Sequence, residues 1–159
     1  MRSRVRVLCF LGFLIGCGGG CRGSSGPGTA PSTTGCTTPA VVSCNTVPGQ
    51  PNLGQMTVAK GGSPDCNVGV NEAIPISFSI LNPAPGFIWA GFTNTRQSVT
   101  PSQGSAATAG PFQVTAKFLT FGGDNTSTDQ MPFGICRDNV TPSPGACNIL
   151  CTVPLYGHN

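Results

Sequence analysis

Cysteine is the residue type with the most chemical potential in this chain, because nine of its 159 residues are cysteines. A cysteine can bind zinc, act as a nucleophile or pair with a second cysteine as a disulfide. The compartment separates these uses, since disulfides persist in exported proteins and are rare in the cytosol. The chemistry of the cysteines therefore depends on whether the chain is exported.

The N-terminal segment has the features of an export signal. Arg2, Arg4 and Arg6 precede an apolar run of nine residues, VLCFLGFLI. A membrane-spanning helix needs about 20 apolar residues, whereas a shorter run behind basic residues is typical of a signal peptide. We therefore predict a signal peptide over residues 1–16.

The apolar run ends in Leu14-Ile15-Gly16-Cys17, a tetrad that resembles the lipobox of bacterial lipoproteins. The resemblance implies that Cys17 carries a diacylglycerol group and becomes the acylated first residue after cleavage. Two or three acyl chains, each methylene contributing about 0.8 kcal/mol, anchor a protein stably in a membrane. Gly18 follows, where Asp tends to mark inner-membrane retention, so the resemblance implies an outer-membrane lipoprotein on either face. The alternative is an ordinary secretory signal that contains a cysteine.

Export turns the remaining cysteines into disulfide candidates. Cys9 leaves with the signal peptide and Cys17 carries the lipid. Cys21 lies in the segment behind the anchor and is a possible unpaired thiol. We predict three disulfides among the other six cysteines, which are Cys36, Cys44, Cys66, Cys136, Cys147 and Cys151.

The spacing of the last cysteines restricts the pairing. In an extended segment the Cα atoms of Cys147 and Cys151 lie about 13 Å apart, whereas a disulfide requires about 4.4–6.8 Å. Cys136 and Cys147 flank a turn-rich loop, so we predict a bridge between them. Cys151 would then pair with Cys44 or Cys66.

Other catalytic and metal-binding patterns are weak. The single histidine, His158, stands next to the last residue, where chains fray, and nucleophile-elbow and phosphate-loop motifs are missing from the sequence. A C-x₃-C pair occurs once, which is little support for zinc in an exported chain. We therefore expect neither an enzyme nor a cofactor.

A calcium site is the alternative function that the sequence leaves open. The stretch GGDNTSTDQ, residues 122–130, places Asp124, Asn125 and Asp129 in one predicted loop. Oxygen ligands on a turn can hold calcium, although the same composition is common in hairpin turns. These three residues are weak calcium candidates.

The charge of the mature chain argues against nucleic-acid binding. Without the signal peptide, five cations and five anions remain, scattered singly along the chain. Nucleic-acid binding requires a concentrated basic surface. We expect a membrane contact through Cys17 and a protein partner in the cell envelope instead.

Composition divides the mature chain into a tether and a domain. Residues 17–39 are rich in Gly, Ser, Thr and Pro, too polar to offset the entropy of ordering. We predict a disordered tether with a reach on the order of 25 Å. Residues 40–159 have the size of one domain.

The domain shows the period of β-strands. Apolar and polar residues alternate at residues 72–81, 86–93, 111–121 and 147–155, with weaker candidates at Val99 and residues 56–59. Pro75 lacks a ladder donor, so its side of the first strand is expected to be an edge or a bend. Trp89 is expected in the core.

Several short strands separated by Gly, Pro and Asn turns predict an all-β, antiparallel sandwich. The stretch VNEAIPISFSILNPAPG resembles the second strand of many bacterial immunoglobulin-like modules, and Trp89 on the following strand fits the resemblance. Phe78 and Val114 stand where an inter-sheet cysteine is expected, and the cysteines lie towards the domain's two ends instead. The resemblance implies a disulfide-stapled immunoglobulin-like β-sandwich behind the tether.

These observations predict a lipid-anchored cell-envelope protein that acts as a non-enzymatic binding, adhesion or assembly module. A calcium- or small-ligand-binding envelope lipoprotein is the alternative.

Overall fold

A computed structural model describes residue 36 and residues 38–121 and 126–158, which form an all-β domain. The predicted signal peptide and most of the predicted tether, with Cys17 and Cys21, lie outside these residues. Within the described ranges there is no helix. Among these residues, no helical segment has the length and hydropathy needed to cross a membrane.

Eleven strands are present in the described parts of the chain. They are β1 (Ala40–Val42), β2 (Asn52–Leu53), β3 (Met56–Val58), β4 (Ile74–Phe78), β5 (Ile80–Leu81), β6 (Phe87–Gly91), β7 (Gln97–Thr100), β8 (Gln103–Ser105), β9 (Phe112–Phe118), β10 (Thr126–Arg137) and β11 (Asn148–His158). One sheet has the order β1-β3-β4-β9-β7, a second has the order β11-β10-β6-β8, and β2 pairs with β5. All of these pairings are antiparallel, so the predicted antiparallel all-β class is confirmed.

The alternation in the sequence corresponds to burial in the strands. In β4, Ile74, Ile76 and Phe78 are buried while Pro75 is exposed. The same pattern holds in β9, where Val114 is buried and Gln113 is exposed. Side chains alternate between the faces of a strand, so both strands turn their apolar residues towards one core.

Pro75 does not lie on an edge strand, because β4 is the middle strand of the five-stranded sheet. The pairing of β3 with β4 is limited to two residue pairs and ends at Val58, opposite Ile76. The Pro75 carbonyl still accepts a hydrogen bond from the Ala59 backbone N–H, at 3.0 Å. Pro75 has no backbone N–H to donate. It lies just beyond the end of the β3–β4 pairing, where no ladder hydrogen bond from it is required.

A shared aromatic core joins the two larger sheets. The Phe78 ring of β4 contacts Trp89 of β6 edge-on, with the ring centroids 5.2 Å apart, and Phe133 of β10 at 6.1 Å. Trp89 is 2% exposed, which confirms its predicted place in the core. Each such aromatic pair contributes about 0.5–1.5 kcal/mol beyond the area that it buries.

The alternation of apolar and polar residues did not predict strand β10. Its residues from Phe133 to Cys136 are all buried, so both faces of the strand are covered and the period of two disappears. A register shift between Phe133 and Gly134 disturbs the pairing with β11 as well. Strands that are buried on both faces lack the signal on which sequence prediction depends.

The packing of Trp89 gives a first prediction. A Cβ atom at Gly104 would lie 2.7 Å from the Trp89 indole, whereas a Cβ atom at Gly145 would have no atom within 4 Å. Gly104→Ala should therefore lower the free energy of unfolding by about 1–3 kcal/mol, measured by urea unfolding with Trp89 fluorescence. Gly145→Ala is the control and should leave it unchanged. Equal stability of the two variants would contradict this packing.

Candidate functional site

All six predicted disulfide cysteines are paired. The bridges are Cys36–Cys66, Cys44–Cys151 and Cys136–Cys147, with Cα–Cα distances of 4.9, 4.6 and 4.4 Å. The bridge predicted across the turn-rich loop is present, and Cys151 has one of its two predicted partners. The six cysteines of the domain therefore serve as disulfide partners.

Two of the bridges fasten the beginning of the domain to distant parts of the chain. Cys44 lies two residues after β1, an edge strand of the five-stranded sheet, and is bonded to Cys151 in β11, an edge strand of the four-stranded sheet. The adjacent Asn45 N–H donates to the Leu150 carbonyl at 2.8 Å. Cys36 is fixed to Cys66, in the connection between β3 and β4. Chain ends fray unless they are tied down, and these bonds hold the N-terminal part of the domain.

The lengths of the closed loops give a second prediction. Chain entropy assigns about 4.8 kcal/mol to closing the 107-residue separation of Cys44 and Cys151, and about 2.8 kcal/mol to the 11-residue separation of Cys136 and Cys147. The double substitution Cys44→Ser/Cys151→Ser should therefore destabilise the domain by up to about 2 kcal/mol more than Cys136→Ser/Cys147→Ser. Urea unfolding without reductant measures both variants, and the reverse order would contradict the assignment.

The loop predicted over residues 122–130 is wrong in its second half. Residues 126–130 belong to β10 and pair with β11, so Asp129 lies in a strand. Its carboxylate accepts hydrogen bonds from the Asn94 side-chain amide at 3.1 Å and from the Gln130 N–H at 2.9 Å. Asp124 and Asn125 lie outside the described residues. Among those described, no group of three His, Cys, Asp or Glu side chains could hold a metal ion.

His158 does not belong to a frayed end. It pairs with Thr126 in the β10–β11 ladder, and its N–H donates to the Val68 carbonyl at 2.9 Å. The last residues of β11 therefore form part of the sheet, because both sides of the strand have a partner there.

An ion pair lies beside this strand end. The Lys60 ammonium contacts the Glu72 carboxylate at 2.5 Å, and the Gly69 N–H donates to the second carboxylate oxygen at 2.9 Å. The hydrogen bond from Lys60, and to a lesser extent the one from Gly69, holds the pKa of Glu72 below its usual value. The pair fastens both ends of the loop between β3 and β4.

The lowered pKa of Glu72 gives a third prediction. Its stabilising effect is complete above the unfolded pKa of about 4.3 and is lost as the pH falls through the lower folded pKa. Between neutral pH and about pH 3, the melting temperature of Glu72→Gln should therefore change less than that of the parent protein. Scanning calorimetry measures both melting temperatures. The contribution of the Lys60–Glu72 pair to the free energy of unfolding should be less than about 1 kcal/mol, because the pair is partly exposed. A pH profile that is identical to that of the parent protein would contradict the prediction.

The strongest candidate binding site is a cleft on the outer face of the four-stranded sheet, which we call the loop cleft. Residues 141–144 of the loop between β10 and β11 form a wall. The floor consists of Ala90 and Gly91 of β6 with Ser102 and Gln103, at the start of the adjacent strand β8. Phe92 and Thr93 complete the lining, and the volume is about 400 Å³. This volume lies within the range of small-molecule sites, about 300–1,000 Å³.

The loop that walls the cleft is held in place. The Cys136–Cys147 bond closes its base, the Asp138 N–H donates to the Gly86 carbonyl at 3.2 Å, and the Ala146 N–H donates to the Ser143 carbonyl at 3.0 Å. A wall that is ordered before binding reduces the entropy that a partner must overcome.

The chemistry of the loop cleft is neutral. Its lining offers Ser, Thr and Gln side chains, two prolines and one phenylalanine, with no ionisable group among these residues. Hydroxyl and amide groups donate and accept hydrogen bonds, and the proline and phenylalanine rings offer apolar contact. The cleft is therefore suited to binding an uncharged polar segment.

A second concave surface, of about 470 Å³, lies on the outer face of the five-stranded sheet. Thr57, Ser77, Gln113 and Thr115 line it, so it is also neutral. We rank the loop cleft first although it is smaller. Its wall is a separate segment that is fixed by a covalent bond, whereas the second surface consists mainly of a sheet face and has no such wall.

The sequence gives an incomplete signal for the loop cleft. The two cysteines that flank residues 137–146 indicate a stapled loop, but nothing in that spacing indicates which sheet face the loop covers. Ala90 and Gln103 lie in ordinary strand sequences and carry no recognisable motif.

Comparison with known proteins gives no match to a family model, a curated protein or a solved structure.

Proposed function

We propose that this chain is a lipid-anchored binding or assembly module of the bacterial cell envelope, with the loop cleft as its contact surface. The observation that carries the proposal is the complete pairing of the six domain cysteines. Disulfides of this kind persist in oxidising, extracytoplasmic compartments, in agreement with the signal peptide and lipobox that the N-terminus resembles.

The immunoglobulin-like sandwich remains part of the proposal, and the strand order supports it. In immunoglobulin domains one sheet has the order A-B-E-D and the other contains C, F and G. The orders β3-β4-β9-β7 and β11-β10-β6 correspond to A-B-E-D and G-F-C, with the seven strands in the same sequence along the chain. Strands β1 and β8 and the β2–β5 pair are additions to this pattern.

The central contact supports the same assignment. Antibody domains pack a Trp of strand C against a disulfide between strands B and F. Here Trp89 of β6 packs against Phe78 of β4, which also contacts Phe133 of β10. We infer that Phe78 and Phe133 take the place of the inter-sheet disulfide. Val114, which the sequence suggested as the second position, lies instead in β9, the strand that corresponds to E.

The lipid anchor is tested by substitution in the tether. Cys17→Ala should release the protein from the membrane fraction, because the acyl chains on Cys17 provide its membrane affinity. Cys21→Ala is the matched control, four residues along the chain, and should stay with the membranes. Intact mass of the extracted protein should show a chain that begins at Cys17 with added acyl mass. Unchanged fractionation of Cys17→Ala would refute the anchor.

The loop cleft is tested by crosslinking in the producing cells. A photoreactive residue at Ser143, in the wall of the cleft, should give a discrete adduct, whereas the same residue at Ser98 on the five-stranded sheet should not. Gln103→Trp should fill the cleft and abolish the adduct, while Ser98→Trp should leave it. An adduct that survives Gln103→Trp would exclude the cleft as the contact surface.

A further inference from the structure

We infer that one end of the domain faces the lipid bilayer and the opposite end is presented away from it. The bilayer-facing end, which we call the Cys66 end, consists of the connection between β3 and β4 (residues 59–73) and of residues 119–121. The opposite end, which we call the Val140 end, consists of residues 81–86 and the loop between β10 and β11 (residues 138–147). The inference rests on the lipid anchor proposed above and adds an orientation and a lipid contact.

The chain enters the domain at the Cys66 end. Cys36, the first described residue, is bonded to Cys66, and the Cys66 carbonyl accepts a hydrogen bond from the Gly61 N–H at 2.6 Å. The segment that leads back to the anchor is therefore attached covalently at this end of the domain.

The last described residues, 156–158, also lie at the Cys66 end. The Tyr156 N–H donates to the Gly61 carbonyl at 2.8 Å, and the His158 N–H donates to the Val68 carbonyl at 2.9 Å. Strand β1 accounts for this arrangement, because it pairs antiparallel to β3 and so returns the N-terminal segment to the end where β3 finishes.

Distance favours the Cys66 end for the bilayer. Strand β10 has 12 residues and spans about 40 Å at about 3.4 Å per residue, with Thr126 at the Cys66 end and Arg137 at the Val140 end. Eighteen residues separate Cys17 from Cys36, and a tether of this composition has an expected reach of about 25 Å. If the Val140 end faced the lipid, the attachment point would lie about 40 Å from the surface. The tether could span that distance only by stretching well beyond its average coil dimension towards its extended length of about 60 Å, so chain entropy favours the Cys66 end.

The Cys66 end carries two exposed apolar side chains that could contact the lipid. Val70 is 39% exposed and Leu119 is 41% exposed. The Asn71 N–H donates to the Phe118 carbonyl at 2.8 Å, so the residues that precede and follow this bond lie next to one another. Leu81 and Val140, at the other end, are equally exposed, so the position of the tether, and not exposure alone, determines which end meets the bilayer.

The experiment uses the full-length lipidated protein, extracted from membranes and reconstituted into phosphatidylcholine–phosphatidylglycerol vesicles that contain lipids brominated in the acyl chains. Val70→Trp is compared with its matched control Val140→Trp, which has the same residue type and is 38% exposed. The pair Leu119→Trp and Leu81→Trp repeats the comparison if one variant fails to fold. Emission of the unsubstituted protein, from the buried Trp89, is subtracted.

The expected result is several-fold stronger quenching at positions 70 and 119 than at positions 140 and 81. Equal quenching within both pairs, or stronger quenching at 140 and 81, overturns the orientation. Flotation of the unsubstituted protein with the vesicles is measured first. Failure to float overturns the anchor and the orientation together, whereas flotation with equal quenching overturns the orientation alone.

Discussion

The contact of the Phe78 ring with Trp89 and Phe133 is the interaction on which the rest of the domain depends. It joins a strand of the five-stranded sheet to two strands of the four-stranded sheet. The rings of Phe133 and Trp89 also require glycine beside them, because a Cβ atom at Gly91 or at Gly104 would lie 2.7 Å from an aromatic atom. Bare backbone at Gly91 then forms part of the floor of the loop cleft, so the packing of the core shapes the outer surface.

The disulfides stabilise the parts of the domain that strand pairing holds weakly. Strands β1, β2 and β5 have two or three residues each and form few ladder bonds. The segment that carries β1 and β2 is instead fixed by Cys36 and Cys44, one towards each end of β1. The buried Asn52 side chain adds local order there, because it accepts from the Val47 N–H and donates to the Val47 carbonyl.

Sequence reasoning succeeded where one physical signal acts locally. Alternation identified β4 and β9 because one face of each is buried, and loop spacing identified the Cys136–Cys147 bridge. It failed at residues 133–136 of β10, which are buried on both faces, and at Asp129, where pairing with β11 overrides a turn-like composition. The side of the sheet that the stapled loop covers depends on tertiary packing, so the loop cleft had no signature in the sequence.

The bond between Cys36 and Cys66 also has a mechanical consequence. A pull on the domain through its N-terminal segment reaches a covalent bond before it reaches β1, whose three residues would peel from β3 one hydrogen bond at a time. The force passes into the connection between β3 and β4, which is bonded to the last residues of β11. Since β11 pairs along most of its 11 residues with β10, the tension is shared by a long ladder that is sheared along its length.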